Sequence, residues 1–376
     1  MVLPREMEVL YRIPYPYFFS QHDAVGGHVA HSLGIVGGLV ENGHEVTVLA
    51  HEGKEQFEAS GADFVQVEGE GTGPLRRQGW LYWFFQRSRE MAERRSFDFT
   101  YTRYSASAAP HLWWTYSREA EPGILEINSL GSQRVAVPFL NWLEARALQE
   151  SSMSVVVSDA LKKWIEKNFG SDVASGIQVV PNGVSRDRFR SVPEGRKKGP
   201  FRCAFAGLVK PDYGLEGLVD AARSLPEDEF YFHVFGAGPF EPELRDYASG
   251  VQNFVFEGEI PFEEVPDRLH TMDCLVYTTS SKWSFQSPTK LFEYMAIGRP
   301  IVAARTLQTK KILEDGRLGR LFELESSASL CEAVLEVRDA YNVALDRAES
   351  AQQKAHEKHR WKFKSQRIVE LVGDNI

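Results

Sequence analysis

Cysteine is scarce in this chain of 376 residues: Cys203, Cys274 and Cys331 are odd in number and far apart. Neither a disulfide framework nor a metal-spaced thiol cluster follows, and the expected compartment is a reducing cytoplasm. Basic charge is also in deficit, with 43 Lys and Arg against 52 Asp and Glu and a formal net charge of −9. Nucleic-acid binding needs a basic surface that releases counterions, so no nucleic-acid partner is expected. No run of about 18 apolar residues occurs. At the start, Pro4, Arg5, Glu6 and Glu8 break any apolar stretch, so neither a spanning helix nor a secretory leader is expected. Internal repeats and low-complexity tracts are lacking too, which leaves out solenoids and disordered arrays.

What remains is the composition of a globular protein, 43% hydrophobic and 25% charged, in a chain long enough for two cores. Short apolar runs alternate with longer amphipathic stretches, the pattern of repeated β-α units and parallel sheets. Strands are predicted at 8–13, 45–50, 63–67, 98–101, 123–127, 154–158 and 178–180. A second series follows at 201–206, 229–235, 254–257, 274–277 and 301–304. Residues 186–200 are charged, contain Pro and Gly, and have no apolar period; they read as a linker. The expected organisation is one α/β domain over 1–185, the linker, and a second α/β domain over 201–358. In the tail, 359–376, an apolar period runs through Trp361, Phe363, Ile368 and Leu371. Ligands of two such doubly wound domains bind at the carboxyl ends of the strands, in a cleft between facing sheet edges.

The most informative stretch is Ser287 to Val302. Ser287 is a favoured N-cap, Pro288 suits the first helical position, and Gly298 ends the helix before a short apolar strand. Such a helix opens its backbone N–H groups and its positive dipole end onto an anion. Thr289 and Glu293 are four apart and share a face, so a carboxylate sits one turn below the anion site, where it can accept two hydroxyls of a diol. The same string also suits a plain capped, half-buried helix whose Glu293 is merely solvated.

The segment Pro288-Thr289-Lys290-Leu291-Phe292-Glu293-Tyr294-Met295-Ala296-Ile297-Gly298 resembles the nucleotide-sugar signature of the family 4 glycosyltransferases, retaining enzymes of the GT-B fold. Three further places resemble that family in order: the strand ending at Gly207 with Tyr213-Gly214 beyond it, the strand running into Gly236-Ala237-Gly238-Pro239, and the strand leaving through Gly258, Glu259 and Ile260. Near the start, Gly26-Gly27-His28 resembles the loop whose backbone meets donor phosphate and acceptor. The resemblance implies two Rossmann-like domains across a cleft and a last helix that crosses back to the first. It implies a sugar donor carried on a nucleoside diphosphate, with the phosphates at Ser287–Lys290 and Leu291, the ribose at Glu293, the base near Ile260, and Gly26, Gly27, Gly207, Gly236 and Gly238 lining the donor.

Departures from the family pattern are as telling. The first acidic position of its paired-Glu motif is Phe285 here, and the two cations that clasp the pyrophosphate are replaced by Leu208 and Tyr213. Unit charges at 4 Å are worth about 4 kcal/mol each at an effective dielectric of 20, so other cations are expected in their place. Lys210 and Lys290 are the candidates. No Asp-x-Asp triplet occurs, and no metal or other cofactor is expected. The family's His beside the reacting sugar falls on Asn128, which leaves Glu126 as the titratable candidate on that strand, unless an Arg such as Arg103 or Arg134 satisfies it. His28 and His31 read as helix-surface residues.

Trp80, Trp83 and Phe84 stand among arginines and suit either a buried helix face or a peripheral contact at the inner face of a membrane. The acceptor is then a hydroxyl of a glycan, a lipid-linked sugar or a small molecule. A nucleotide-sugar epimerase of the same fold, or a catalytically weak partner of another transferase, are the competing readings.

Overall fold

The computed structural model describes residues 5–16, 27–69, 73–118, 122–133, 135, 137–185, 189, 198–261 and 264–373. Most of the expected linker, and Gly26 and Arg134, lie outside them. The chain divides into two compact units, Met1–Asn182 with Trp361–Ile376, and Gly183–Arg360.

In the first unit the order is β1 (Glu8–Arg12), α1 (Gly27–Glu41), β2 (Glu45–Ala50), α2 (Lys54–Ala59), β3 (Asp63–Gln66), α3 (Pro74–Arg94), β4 (Phe99–Arg103), α4 (Ala109–Tyr116), β5 (Gly123–Ile127), α5 (Pro138–Glu150), β6 (Met153–Val156), α6 (Asp159–Phe169), α7 (Ser171–Ser175) and β7 (Ile177–Val179). All seven strands are parallel, in the order β3-β2-β1-β4-β5-β6-β7. The strands are Val-, Ile- and Leu-rich because both faces of a parallel sheet are covered by helices. The order reverses between β1 and β4, and ligands of open α/β sheets bind at such a reversal.

The second unit holds β8 (Phe201–Ala206), α8 (Glu216–Ser224), β9 (Phe230–Phe235), α9 (Glu241–Tyr247), β10 (Phe254–Gly258), α10 (Val265–His270), β11 (Cys274–Tyr277), α11 (Thr289–Ile297), β12 (Ile301–Ala304), α12 (Leu307–Ile312), β13 (Arg320–Phe322), α13 (Ser327–Asp339) and α14 (Tyr341–Lys358). Its parallel sheet runs β10-β9-β8-β11-β12-β13, with the reversal between β8 and β11. Alternate strand residues feed two cores. Cys203, Phe205, Val276 and Val302 pack under α8 and α13. Ala204, Ala206, Leu275 and Ile301 pack under α11 and α14. So α8 and α13 cover one face of the sheet and α11 the other, which matters below.

Two of the differences from the sequence reading have simple causes, and the last helix falls where it was expected. Val184 is buried in the core of the second unit, and its N–H donates to His359 O at 2.8 Å, so 183–185 and 359–360 pack with the second unit rather than the first. The cysteines converge in space: Cys203 and Cys274 are paired residues of β8 and β11, and both are free, fully buried thiols that act as small apolar groups. The last helix, α15 (Trp361–Gly373), belongs to the first unit and packs along α1. There the Trp361 ring lies so close to Gly34 that a Cβ on that glycine would fall 2.2 Å from it. No helix among the described residues is long and apolar enough to cross a membrane.

Candidate functional site

The reversal point of the second unit brings together the loops that follow β8 and β11, and with them α11. Seven consecutive residues, Leu291–Ile297, are buried, so the helix is fixed in the core and only its first turn and the loop before it reach outward. Tyr294 accepts a hydrogen bond from Ala206 N–H at 2.8 Å, which locks the end of β8 to α11. Its phenol is pushed up in pKa by burial and stays neutral. The lock sets Lys290 beside the glycine loop: a Cβ on Gly207 would lie 3.1 Å from Phe205 and 3.9 Å from the Lys290 ε-carbon.

The helix begins one residue later than the sequence suggests. Pro288 is the N-cap, at φ −77° and ψ 96°, and its own ring makes no capping hydrogen bond. Pro288 is itself extended rather than helical, so Ser287, expected as the cap, lies one residue outside the helix. Gly298 ends the helix in the left-handed region, at φ 76°, as expected from its sequence position. Leu291 is fully buried, so only its backbone can serve a ligand.

Glu293 is 5% exposed, and Lys290 Nζ donates to its Oε2 at 2.8 Å. The carboxylate and the cation that the sequence assigns to ribose and phosphate therefore form one pair on the first turns of α11. Lys210, the other expected phosphate cation, is engaged elsewhere, with Nζ 4.3 Å from the Tyr213 ring centroid and 4.8 Å from that of Trp283. Such cation–π contacts contribute roughly 0.5–2 kcal/mol, which a phosphate must outweigh to draw Lys210 away.

Gly236 and Gly238 are held by close approach of backbone within the fold itself. The glycine loops after β8 and β9 continue the sheet ladder, with Gly207 N–H to Phe235 O at 2.9 Å, Val209 N–H to Ala237 O at 3.0 Å and Gly236 N–H to Gly258 O at 2.7 Å. A Cβ on Gly236, whose φ is +132°, would sit 2.0 Å from Gly207 O, and one on Gly238 2.1 Å from Val209 O. The backbone that approaches closely is the neighbouring loop. Gly236→Ala should destabilise the second unit by about 2–4 kcal/mol through strain and clash. A thermal melt within 2 °C of wild type would contradict this. Ile260 is half-buried against the α11 core.

In the first unit, Gly27 is the exposed first residue of α1. One turn on, His31 is buried rather than on the surface, because Glu126 and Asn182 hold it. Its Nδ1 lies 2.7 Å from Asn182 Oδ1 and its Nε2 2.8 Å from Glu126 Oε2. Glu126 is 1% exposed and also accepts from Tyr101 Oη at 2.8 Å and Asn128 Nδ2 at 2.7 Å, with Arg103 Nη1 at 3.7 Å. Burial raises its pKa, but the charge and hydrogen bond of His31, then Arg103 and Tyr101, outweigh burial and bring it down to about 2. A carboxylate so acidic and so enclosed does not suit a general base. Glu126 ties β5 to the first turns of α1, and Asn128 joins it through its amide.

Sequence reasoning offered only the Arg103–Glu126 pair of this cluster, because its other members, residues 31, 101 and 182, are scattered over the unit. Of the aromatic segment, Trp80 and Phe84 are buried and support the core, which removes them from any membrane contact, whereas Trp83 is 66% exposed. The helix is amphipathic, and only its outer face was available. Among the described residues no group of three or more His, Cys, Asp or Glu is placed to hold a metal ion.

Residues 25–188 match the profile of Glycosyltransferase Family 4, and residues 200–339 that of Glycosyl transferases group 1. The chain is 24% identical over 375 residues to the phosphatidyl-myo-inositol mannosyltransferase of Mycolicibacterium smegmatis, covering 95% of this chain and 91% of that protein. Its 27% identity to the Mycobacterium leprae protein of the same name spans 58% of each chain. Among solved structures, Anabaena HepE in complex with UDP and glucose superposes with a TM-score of 0.77 at 17% identity, covering 98% of this chain and 100% of that one. Sucrose-phosphate synthase of Thermosynechococcus elongatus gives the same TM-score at 14% identity, covering 98% of both chains.

Proposed function

The chain belongs to glycosyltransferase family 4, enzymes of the GT-B fold, and from that premise we propose that it moves a sugar, with retention of configuration, from a nucleoside diphosphate to a hydroxyl acceptor. One observation carries the reading: at the reversal point of the second sheet, a helix that opens at Pro288 presents on its first turns a lysine paired at 2.8 Å with a buried carboxylate. The backbone N–H groups and Lys290 suit the diphosphate, and Glu293 suits the ribose diol. Binding of UDP by Anabaena HepE in its crystal structure makes a uridine nucleotide the first probe.

The enclosure of Glu126 supports a mechanism that needs no protein base. The C1–O bond to the diphosphate breaks, the acceptor oxygen bonds to C1 on the same face, and the acceptor proton passes to the departing phosphate oxygen. Negative charge grows on the leaving group, and the α11 mouth and Lys290 are preorganised to meet it. We propose that no metal ion takes part, since the chain contains no Asp-x-Asp triplet. Calorimetry of the full chain with UDP, GDP and ADP, with and without EDTA, tests the reading. One nucleotide should bind, with a Kd that EDTA changes by less than twofold; no heat with any of them would sink it.

For the acceptor we propose a lipid-linked hydroxyl, in line with the lipid named in the mannosyltransferases. Val137 at the N-cap of α5, with Phe139 and Trp142 on the helix, is exposed together with Val135, and the Trp142 ring meets Trp113 at 5.1 Å. Exposed aromatics with Arg118 and Arg146 nearby in the chain suit the headgroup layer. The protein should pellet with anionic liposomes at low salt, and Phe139→Ser with Trp142→Ser should reduce the bound fraction at least threefold. Failure of the wild-type protein to pellet removes the idea.

A further inference from the structure

A second cavity, of about 250 Å³, opens in the second unit under the α8 and α13 face, on the side of the sheet opposite α11. Thr278 lines it, is 5% exposed, and its Oγ1 has no hydrogen-bond partner among the described residues. A buried hydroxyl left unpaired is destabilising unless something fills its place. Around it stand the first turns of two helices, α8 at Glu216 and Gly217 and α13 at Ser327, which supply N–H donors.

The acceptors are the carboxylates of Glu216, Asp220 and Glu325. Two of these are oriented in advance: Asp220 by Arg223 at 3.0 Å and the Tyr247 hydroxyl at 2.8 Å, and Glu325 by Ser281 N–H at 2.9 Å. Phe322 and Leu330 complete the lining with apolar surface.

This combination selects its ligand. No Lys, Arg or His is among the lining residues, and three carboxylates repel a phosphate. The two helix N-termini offset part of the carboxylate charge. A neutral ring with hydroxyls on its edge and C–H groups on its face satisfies every group present, since carboxylates accept from paired hydroxyls and the ring of Phe322 meets the C–H face. The volume falls below the roughly 300 Å³ at which drug-sized pockets begin, so a single ring fits better than a disaccharide or a nucleotide. We propose that this cavity is a second carbohydrate site, for one neutral monosaccharide unit, separate from the nucleotide site at α11.

Saturation-transfer NMR and calorimetry of the full chain, with glucose, mannose, galactose, N-acetylglucosamine and myo-inositol, test the proposal, each repeated with saturating UDP and with glucose 6-phosphate as an anionic counterpart. At least one neutral sugar should bind with a millimolar Kd that UDP leaves within twofold, and glucose 6-phosphate should bind at least fivefold more weakly. Gly217→Phe puts a ring where an added Cβ meets nothing within 4 Å, and should weaken that binding at least tenfold. Thr278→Val should weaken it at least threefold, with the same melting temperature to within a few degrees. The proposal is overturned if no neutral sugar binds, if UDP competes with it, or if both variants bind like wild type. Because the sugar is first titrated without nucleotide, a failure of UDP to bind would count against the donor site and leave this one standing.

Discussion

Glu293→Gln is expected to weaken binding of the preferred nucleoside diphosphate by about 10- to 100-fold, the worth of one hydrogen bond to a charged group at about 1.5–3 kcal/mol. The substitution keeps shape and burial but loses the charge. It should also abolish discrimination between ribose and 2′,3′-dideoxyribose forms of the nucleotide, because the diol has lost its charged acceptor. Lys290 makes the experiment sharper. In the free protein Lys290 neutralises Glu293 at 2.8 Å; with the carboxylate gone, the lysine is released toward the phosphates. Glu293→Gln therefore loses at the ribose while gaining a little at the diphosphate, and inorganic pyrophosphate should bind the variant no worse than wild type.

Lys290→Ala should do the reverse, with pyrophosphate affinity falling at least tenfold. Lys210→Ala should matter less than Lys290→Ala, since Lys210 starts from the Tyr213 and Trp283 rings. If Glu293→Gln binds both ribose and dideoxyribose nucleotides like wild type, the carboxylate is a plain partner of its lysine and the donor site lies elsewhere.

The elements of this fold were legible wherever one strand carries its own signal. Glu45–Ala50, Gly123–Ile127, Phe201–Ala206, Cys274–Tyr277 and Ile301–Ala304 have the bounds their apolar runs predict. β13 escaped notice because it is three residues long and follows left-handed backbone at Glu314, Asp315 and Gly316. The α11 mouth was readable because a cap, a proline, a lysine, a carboxylate and a terminal glycine fall within twelve residues.

What the sequence could not yield is any site assembled from different strands. His31, Tyr101 and Glu126 look like a surface histidine, a strand tyrosine and a free carboxylate until β4 and β5 are brought beside α1. Gly236 and Gly238 show the same limit. A glycine signals a close approach, and only the neighbouring loop at Gly207 and Val209 says to what.

That assembled cluster gives the largest stability effect we expect. Removing one member of a buried charge pair typically destabilises by about 3–5 kcal/mol, since the other charge is left unpaired. For Glu126→Ala this is a fall in melting temperature of roughly 6–20 °C in a unit of this size. The pH dependence is specific to the carboxylate. Its pKa is about 2 in the folded chain against an ordinary 4.5, so the folded state binds the proton more weakly than the unfolded state does. The stabilisation is therefore fully present above about 4.5 and lost as pH falls toward 2. The gap between wild type and Glu126→Gln in denaturant midpoint should shrink as pH falls from about 4.5 toward 2.

Catalysis separates the two roles still open to this residue. A positioning Glu126 predicts that Glu126→Gln, assayed well below its melting temperature, loses less than about tenfold in kcat and keeps the pH–rate profile of wild type. Loss of a general base would remove the larger factor, about 10²–10⁴, and with it the basic limb of that profile. A profile that changes shape in Glu126→Gln would return this carboxylate to the chemistry and refute the base-free mechanism.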